Sequence, residues 1–104
     1  MNFPRAAGLR RVNTIVVVLS GPVERDDVPR LVHRVGRVLD EREGDLVVCD
    51  VGALDHPDAD TIDLLCRLQL AARRLGRRVL LLDAGGELRE LIAWTGLSEV
   101  MPCE

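Results

Sequence analysis

An acidic stretch in the middle of the chain carries residue types that often do chemistry. Four aspartates and one histidine lie within nine positions: Asp55, His56, Asp58, Asp60 and Asp63. Carboxylates and imidazole bind metal ions and transfer protons, so this stretch is the first candidate site. The spacing matches neither a calcium-binding loop nor a histidine-rich zinc pattern, and His56 precedes a proline in an extended turn. We therefore predict that these residues hold no metal.

The other nucleophile and acid–base candidates lie in helical or apolar patterns. His33 falls on the polar face of a predicted helix, which favours a surface position over a catalytic one. Cys66 lacks a paired histidine that would activate it. Cys49 and Cys103 complete an odd set of three cysteines without paired spacing. We predict reduced thiols, no disulfide and no catalytic cysteine, which fits a cytoplasmic protein.

Two further features could bind a ligand or a partner. Gly85 and Gly86 precede a predicted helix, where backbone N–H groups can bind an anion, but a plain strand-to-helix turn is the favoured interpretation. Trp94 is the only tryptophan. It could anchor a partner, but we favour a position in the core or at its rim, near the end of a helix.

The elements that must position these residues follow from hydrophobic periodicity. Valine- and leucine-rich runs predict strands at 14–19, 46–51 and 78–83, and apolar stripes at spacings of three and four predict helices at 27–42, 60–75 and 87–95. The uninterrupted apolar run at 14–19 predicts a central strand covered on both faces. With an edge strand near 8–11, which is antiparallel in this interpretation, the sheet has about four strands. Alternating strands and helices predict an α/β fold with a mainly parallel sheet.

Composition sets the broad class. The 104 residues fit a single domain, 1–104, with a core at about 14–101. With 47% hydrophobic and 30% charged residues the chain should fold, and its net charge of -3 disfavours nucleic-acid binding. No apolar run approaches the roughly 20 residues that span a bilayer. We expect a cytoplasmic protein that is not inserted in a membrane.

Several motifs, in order along the chain, resemble one family. They are Gly21-Pro22-Val23-Glu24, the strand ending at Asp50 with a helix starting at Asp58, Arg73-Arg74-Leu75-Gly76, and Leu91-Ile92-Ala93-Trp94-Thr95-Gly96-Leu97. Together they resemble the STAS domain, a family named for sulfate transporters and anti-sigma factor antagonists. The resemblance covers roughly residues 14–101 and implies an α/β STAS-like fold.

The resemblance gives the acidic stretch a second meaning. Family members usually carry Asp-Ser-Ser-Gly at this helix start, and a kinase phosphorylates the first serine. The alignment puts Asp58-Ala59-Asp60-Thr61 on that motif. Ala59 has no hydroxyl, so the phosphosite is degenerate. Three alternatives follow: permanently unphosphorylated behaviour, which we favour; mimicry of phosphate by Asp60; and phosphorylation of Thr61 instead. Asp58 or Asp60 could also act only as a helix cap.

The resemblance also implies a function. We expect a non-catalytic module that binds a kinase-like anti-sigma factor and so frees a sigma factor. It needs no cofactor. The predicted partner-binding residues are Gly21, Glu24, Asp26, Asp27, Asp58, Ala59, Asp60, Thr61 and Leu64. The alternative is a regulatory STAS-like subunit of an ABC-type lipid transporter, with the transporter subunits as partners. A third hypothesis is an enzyme or small-ligand sensor that uses the acidic stretch.

Overall fold

Strands and helices alternate along residues 13–104, the part of the chain that the computed structural model describes. The order is β1 (Thr14–Gly21), α1 (Val28–Glu41), β2 (Leu46–Leu54), α2 (Ala59–Arg74), β3 (Arg78–Leu82) and α3 (Gly86–Trp94), with a 3₁₀ turn at Arg25–Asp27 before α1. The predicted α/β class and all three helices are confirmed, and each helix bound differs from its prediction by one residue. The edge strand predicted near 8–11 lies outside the described residues.

The three strands form one parallel sheet in the order β1-β2-β3. Thr14 pairs with Leu46, and Leu46 in turn pairs with Arg78, so the strands start level with one another. Within residues 13–104, β2 is the central strand and β1 lies at the edge; the strand predicted near 8–11, which could flank β1, falls outside these residues. The prediction that the run at 14–19 is covered on both faces is wrong, because Val16 and Val18 are 60% and 65% exposed. Valine suits a strand whether or not its outer face is covered, so the continuous apolar run misled the prediction.

A single bridge extends the sheet beyond β3. Leu81 pairs in parallel with Cys103: its N–H donates to the Pro102 carbonyl at 2.9 Å, and its carbonyl accepts from the Glu104 N–H at 2.7 Å. The described residues thus form three strands, fewer than the four or so predicted. Pro102 has no N–H to donate to a ladder, and residues 97–101 before it are folded into turns. The pairing with β3 therefore stays a single bridge and does not extend into a strand.

The helices are fixed to the sheet by a shared core and by a few long-range polar contacts. The buried cluster combines apolar side chains from all three strands and all three helices. The Arg77 guanidinium donates to the carbonyls of Leu39 and Arg42, at 2.6 and 2.8 Å, and so binds the C-terminal end of α1, where a cation also favours the helix dipole. The amide of Gln69 on α2 donates to the Val100 carbonyl. These contacts tie α1 to the start of β3, and α2 to the segment that follows α3.

Candidate docking surface at the carboxyl edge of the sheet

The carboxyl ends of β1 and β2 bring two predicted site segments together. Gly21 pairs with Leu54, and the Gly21 carbonyl accepts from the Asp55 N–H at 3.2 Å. Gly21 has a φ of 71°, a left-handed conformation that glycine adopts without a steric penalty. The chain therefore turns sharply at Gly21 and starts its loop beside the acidic turn that follows β2.

A bulge shapes the end of β2. The register with β1 shifts between Val18 and Ser20, because β2 contains one extra residue there. The Gly52 N–H donates to the Asp50 carboxylate at 3.0 Å, which gives the distorted backbone a partner. A Cβ at Gly52 would lie 2.8 Å from a carboxylate oxygen of Asp83, so any larger residue would force Asp83 to move. Asp50 and Gly52 thus set where β2 ends and the acidic turn begins.

The loop between β1 and α1 is organised by Asp27. Its carboxylate accepts from the Glu24 N–H at 3.2 Å and pairs with Arg30 at 2.9 Å, and its own N–H donates to the Glu24 carbonyl at 2.9 Å. Asp27 occupies the N-cap position of α1, but its carboxylate accepts no backbone N–H of that helix and instead bonds the 3₁₀ turn and the Arg30 side chain. The side chains of Glu24 and Asp26 are exposed. The loop therefore presents the carboxylates of Glu24 and Asp26 to solvent, while the Asp27 carboxylate forms hydrogen bonds within the loop and to Arg30.

The start of α2 is closed by its own side chains. One Asp58 carboxylate oxygen accepts from the N–H groups of Asp60 and Thr61, at 3.0 and 3.2 Å. In return the Thr61 hydroxyl accepts from the Asp58 N–H at 3.2 Å, so Thr61 takes the role of glutamate in a capping box. His56, with a φ of 47°, turns the chain into this arrangement. Asp58 is therefore the N-cap, which is one of the alternatives that the sequence left open.

The residues after Asp58 differ in access. Ala59 is exposed and Asp60 half-buried, whereas Thr61 is only 1% exposed. A kinase would have to open the first turn of α2 to reach the Thr61 hydroxyl, because that oxygen also forms the cap. The first residue of α2 therefore presents only the methyl group of Ala59 to solvent.

Leu64 requires a correction. The sequence interpretation makes it a partner contact, but its side chain is 0% exposed and belongs to the core cluster. Positions three and four residues apart share a helix face, so Leu64 must face inward together with Thr61 and Leu68. The buried face of α2 runs through Thr61, Ile62, Leu64, Leu65, Leu68, Gln69 and Ala72.

Two of the thiols are poor nucleophiles. Burial raises the pKa of the Cys49 thiol from 9.0 to about 11. Burial, and secondarily the negative charge of Asp63, raise the pKa of the Cys66 thiol. Both are therefore protonated at neutral pH, and a protonated thiol reacts slowly. In the described part of the chain, no three His, Cys, Asp or Glu side chains are arranged to hold a metal ion.

Trp94 lies on the surface, so the favoured position in the core or at its rim is wrong. The indole is 88% exposed. It lines a pocket of about 300 Å³ together with Pro57, Glu87, Glu90 and Leu91. The α3 residues of this pocket are spaced by three and four, so the sequence contained the stripe. It did not show that Glu87, Glu90 and Trp94 face solvent, while Leu91 is half-buried against the core.

The family follows from comparison of the sequence with known families. A family model described as "Mlab, STAS domain" matches residues 9–102. The chain belongs to the STAS domain family. No curated protein sequence matches this STAS domain at a significant level.

Solved structures support the same fold. The anti-sigma factor antagonist SpoIIAA in its unphosphorylated form superposes with a TM-score of 0.71 at 16% identity, covering 88% of this chain and 80% of that one. The SulP transporter STAS domain from Vibrio cholerae gives 0.70 at 16% identity, covering 85% and 67%. A sulfate transporter family protein from Wolinella succinogenes gives 0.67 at 19% identity, covering 96% and 82%. At these identities the likeness shows the fold. Among residues 13–104, no helix has the length and apolar character needed to cross a membrane.

Proposed function

We propose that this STAS domain is a non-catalytic interaction module that binds a kinase-like anti-sigma factor and thereby frees a sigma factor. The docking surface consists of Gly21, Glu24, Asp26, Asp27, Asp58, Ala59 and Asp60. The observation that carries the proposal is the exposed Ala59 on a firmly capped helix start, beside an acidic loop. The likeness in fold to an anti-sigma factor antagonist supports the choice of partner.

The mechanism is sequestration without a phosphorylation switch. A phosphoryl group on a helix start adds close to two negative charges and alters a docking surface. Ala59 has no oxygen to accept it, and the burial of Thr61 argues against modification there. The module therefore stays in its binding-competent state. Mimicry of phosphate by Asp60 is the alternative, weakened because a carboxylate carries one charge and this side chain is half-buried.

The proposal has consequences for the cellular location, the domain organisation and the ligands of the protein. It requires a cytoplasmic location, where anti-sigma factors hold sigma factors. It treats the chain as one STAS-like domain with its core at about residues 14–101, and it requires no cofactor, no metal and no nucleic-acid contact.

Binding is tested with the ATP-binding anti-sigma factors encoded in the same genome, by isothermal titration calorimetry. Ala59→Arg places a bulky cation on the docking surface and should abolish binding. Leu70→Arg is the matched control, because Leu70 is 55% exposed on the same helix but lies away from its start. Lack of binding to every such anti-sigma factor would refute the proposal.

The missing switch is tested by intact mass after incubation with a binding anti-sigma kinase and ATP. Ala59→Ser should gain one phosphate, whereas wild type and Thr61→Ala should gain none. Phosphate on wild type that is lost in Thr61→Ala would show that Thr61 is the acceptor, and would replace the constitutive mechanism with a regulated one.

A second candidate function is a regulatory subunit of an ABC-type lipid transporter. It is favoured by the transporter proteins among the similar structures and by a family model that is described by the name Mlab. In that case the same docking surface would contact an ATPase subunit. Co-purification with an ATPase and a permease from the native organism, lost in Ala59→Arg and kept in Leu70→Arg, would favour this function over the first.

A further inference from the structure

One face of α3 forms an apolar patch with an acidic rim. Glu87, Glu90, Leu91 and Trp94 follow each other at spacings of three, one and three, so they share one side of the helix. With Pro57 they line a pocket of about 300 Å³. Leu91 lies at the border of this side and is half-buried against the core, next to the buried Leu88 and Ile92. An indole with 88% of its surface exposed is unusual in a folded domain and indicates a contact surface.

The charge of this pocket is negative. Among residues 13–104, the two ionisable residues that line it are both glutamates. The one basic residue of α3, Arg89, is turned elsewhere: its guanidinium donates to the Ala84 carbonyl at 3.0 Å and to the Glu104 carbonyl at 3.4 Å. The glutamates therefore leave an acidic field around the indole that a cation from outside can neutralise.

The pocket also adjoins the docking surface defined above. Pro57, which forms one wall, directly precedes Asp58, the N-cap of α2. A partner that covers the start of α2 is thus one residue away from the pocket. A partner contact in the pocket would extend the proposed interface from the start of α2 toward α3, on the side opposite the loop that follows β1.

We propose that this pocket receives an arginine side chain of the protein partner, with the guanidinium stacked on the Trp94 indole and paired with Glu87 and Glu90. The inference rests on the proposed function for the partner being a protein, and it adds the chemistry of the contact. Arginine fits because its planar cation stacks on an aromatic face and donates to carboxylates from its edge, while its aliphatic stem packs on Leu91 and Pro57.

The pocket chemistry is tested first without the native partner. The probe is a short capped helical peptide with leucines and two arginines one turn apart, compared with the same peptide carrying citrulline in place of both arginines. Trp94 is the only tryptophan and there is no tyrosine, so the intrinsic fluorescence reports on this pocket alone. The arginine peptide should give a saturable blue shift, and the citrulline peptide should bind at least about tenfold more weakly.

Matched charge variants sharpen this titration. The double variant Glu87→Gln, Glu90→Gln keeps the reporter and should weaken the arginine peptide about tenfold, with a loss of salt dependence. The control Asp40→Asn, Glu43→Gln removes the same charge from exposed positions on and after α1 and should change nothing. The proposal is overturned if both peptides bind equally well, or if binding does not saturate up to about 1 mM peptide. It is also overturned if the fluorescence shift depends only on the protein concentration. The last result would indicate self-association.

The native partner gives an independent test. Trp94→Ala should weaken binding of the anti-sigma factor about tenfold or more, as for a buried interface tryptophan, and Trp94→Phe should restore part of it. If the anti-sigma factor binds and Trp94→Ala has no effect, the inference fails while the proposed function stands. If no anti-sigma factor binds, the proposed function fails, and the peptide titration still decides the chemistry of the pocket.

Discussion

Of the three helices that begin at the carboxyl edge of the sheet, α2 and α3 use their residues in opposite ways. Helix α2 buries seven side chains, including polar Thr61 and Gln69, and its start is closed by the Asp58 carboxylate. Helix α3 buries only Leu88 and Ile92, and its N-cap, Gly85, makes no side-chain bond to the helix. The sole tryptophan lies at its exposed end.

This difference distinguishes α2, which mainly supports the core, from α3, whose outer face we propose as a contact for the partner. The start of α2 is held in one conformation by hydrogen bonds and by the core beneath it, so the partner that we propose would meet a fixed surface there. Helix α3 contributes little to the core and keeps a large aromatic side chain in solvent, which is costly unless a partner covers it. We therefore expect substitutions on the buried face of α2 to change mainly stability, and those on the outer face of α3 to change mainly binding.

The largest expected effect contrasts Leu64 with Trp94. Leu64→Ala removes a fully buried side chain and should lower the free energy of unfolding by about 2–5 kcal/mol. Trp94→Ala removes a larger but exposed side chain and should change it by less than about 0.5 kcal/mol. Urea denaturation followed by far-ultraviolet circular dichroism measures both. Similar losses in the two variants would abolish the distinction between the helices.

The stability of the protein at alkaline pH tests the burial of Cys49 in the core. The folded-state pKa of Cys49 lies above its unfolded value, so its stabilising contribution is complete below pH 9 and is lost as the pH rises through about 11. The shift corresponds to about 3 kcal/mol of unfolding free energy. The chain has neither lysine nor tyrosine, and Cys66, whose pKa burial also raises, contributes to the decline in the same direction. Denaturation between pH 8.5 and about 11.5 should show the decline, and Cys49→Ala should flatten it.

The smallest expected effect compares the two helix starts. Asp58→Ala removes the acceptor of two backbone N–H groups and should cost about 1 kcal/mol. At the other start, Gly85→Ser adds a capping oxygen where none acts now, and a Cβ there meets no atom within 4 Å. It should stabilise the protein by a few tenths of a kcal/mol. Thermal unfolding resolves the opposite signs, and a loss in both variants would contradict the assignment of Gly85 as a free cap position.

The sequence predicted the helices well because their signals are local. The stripe of valines and leucines in α1, and the aspartate before Ala59, define a helix within one or two turns of chain. Gly96, with a φ of 77°, follows α3 in the left-handed conformation that favours glycine at the end of a helix. Such features depend on neighbours a few residues away, which the sequence displays directly.

Burial was harder to predict because it depends on segments far apart in the chain. Leu64 follows the docking residues in sequence, yet the helix turns it into the core. Ile15 and Val16 are adjacent β-branched residues of β1, but Ile15 is buried and Val16 is exposed. Which face of β1 is covered depends on where the helices pack, and a run of β-branched residues does not record that.

By itself the sequence determined the α/β class, the limits of the helices and the absence of a hydroxyl at Ala59, since each follows from residue type and short-range spacing. Only the tertiary structure decided that Thr61 is inaccessible, that β2 lies at the centre of the described sheet and that Trp94 faces solvent. These properties arise when distant segments exclude water from one side of an element and leave the other side exposed. The different burial of α2 and α3 is a result of that packing.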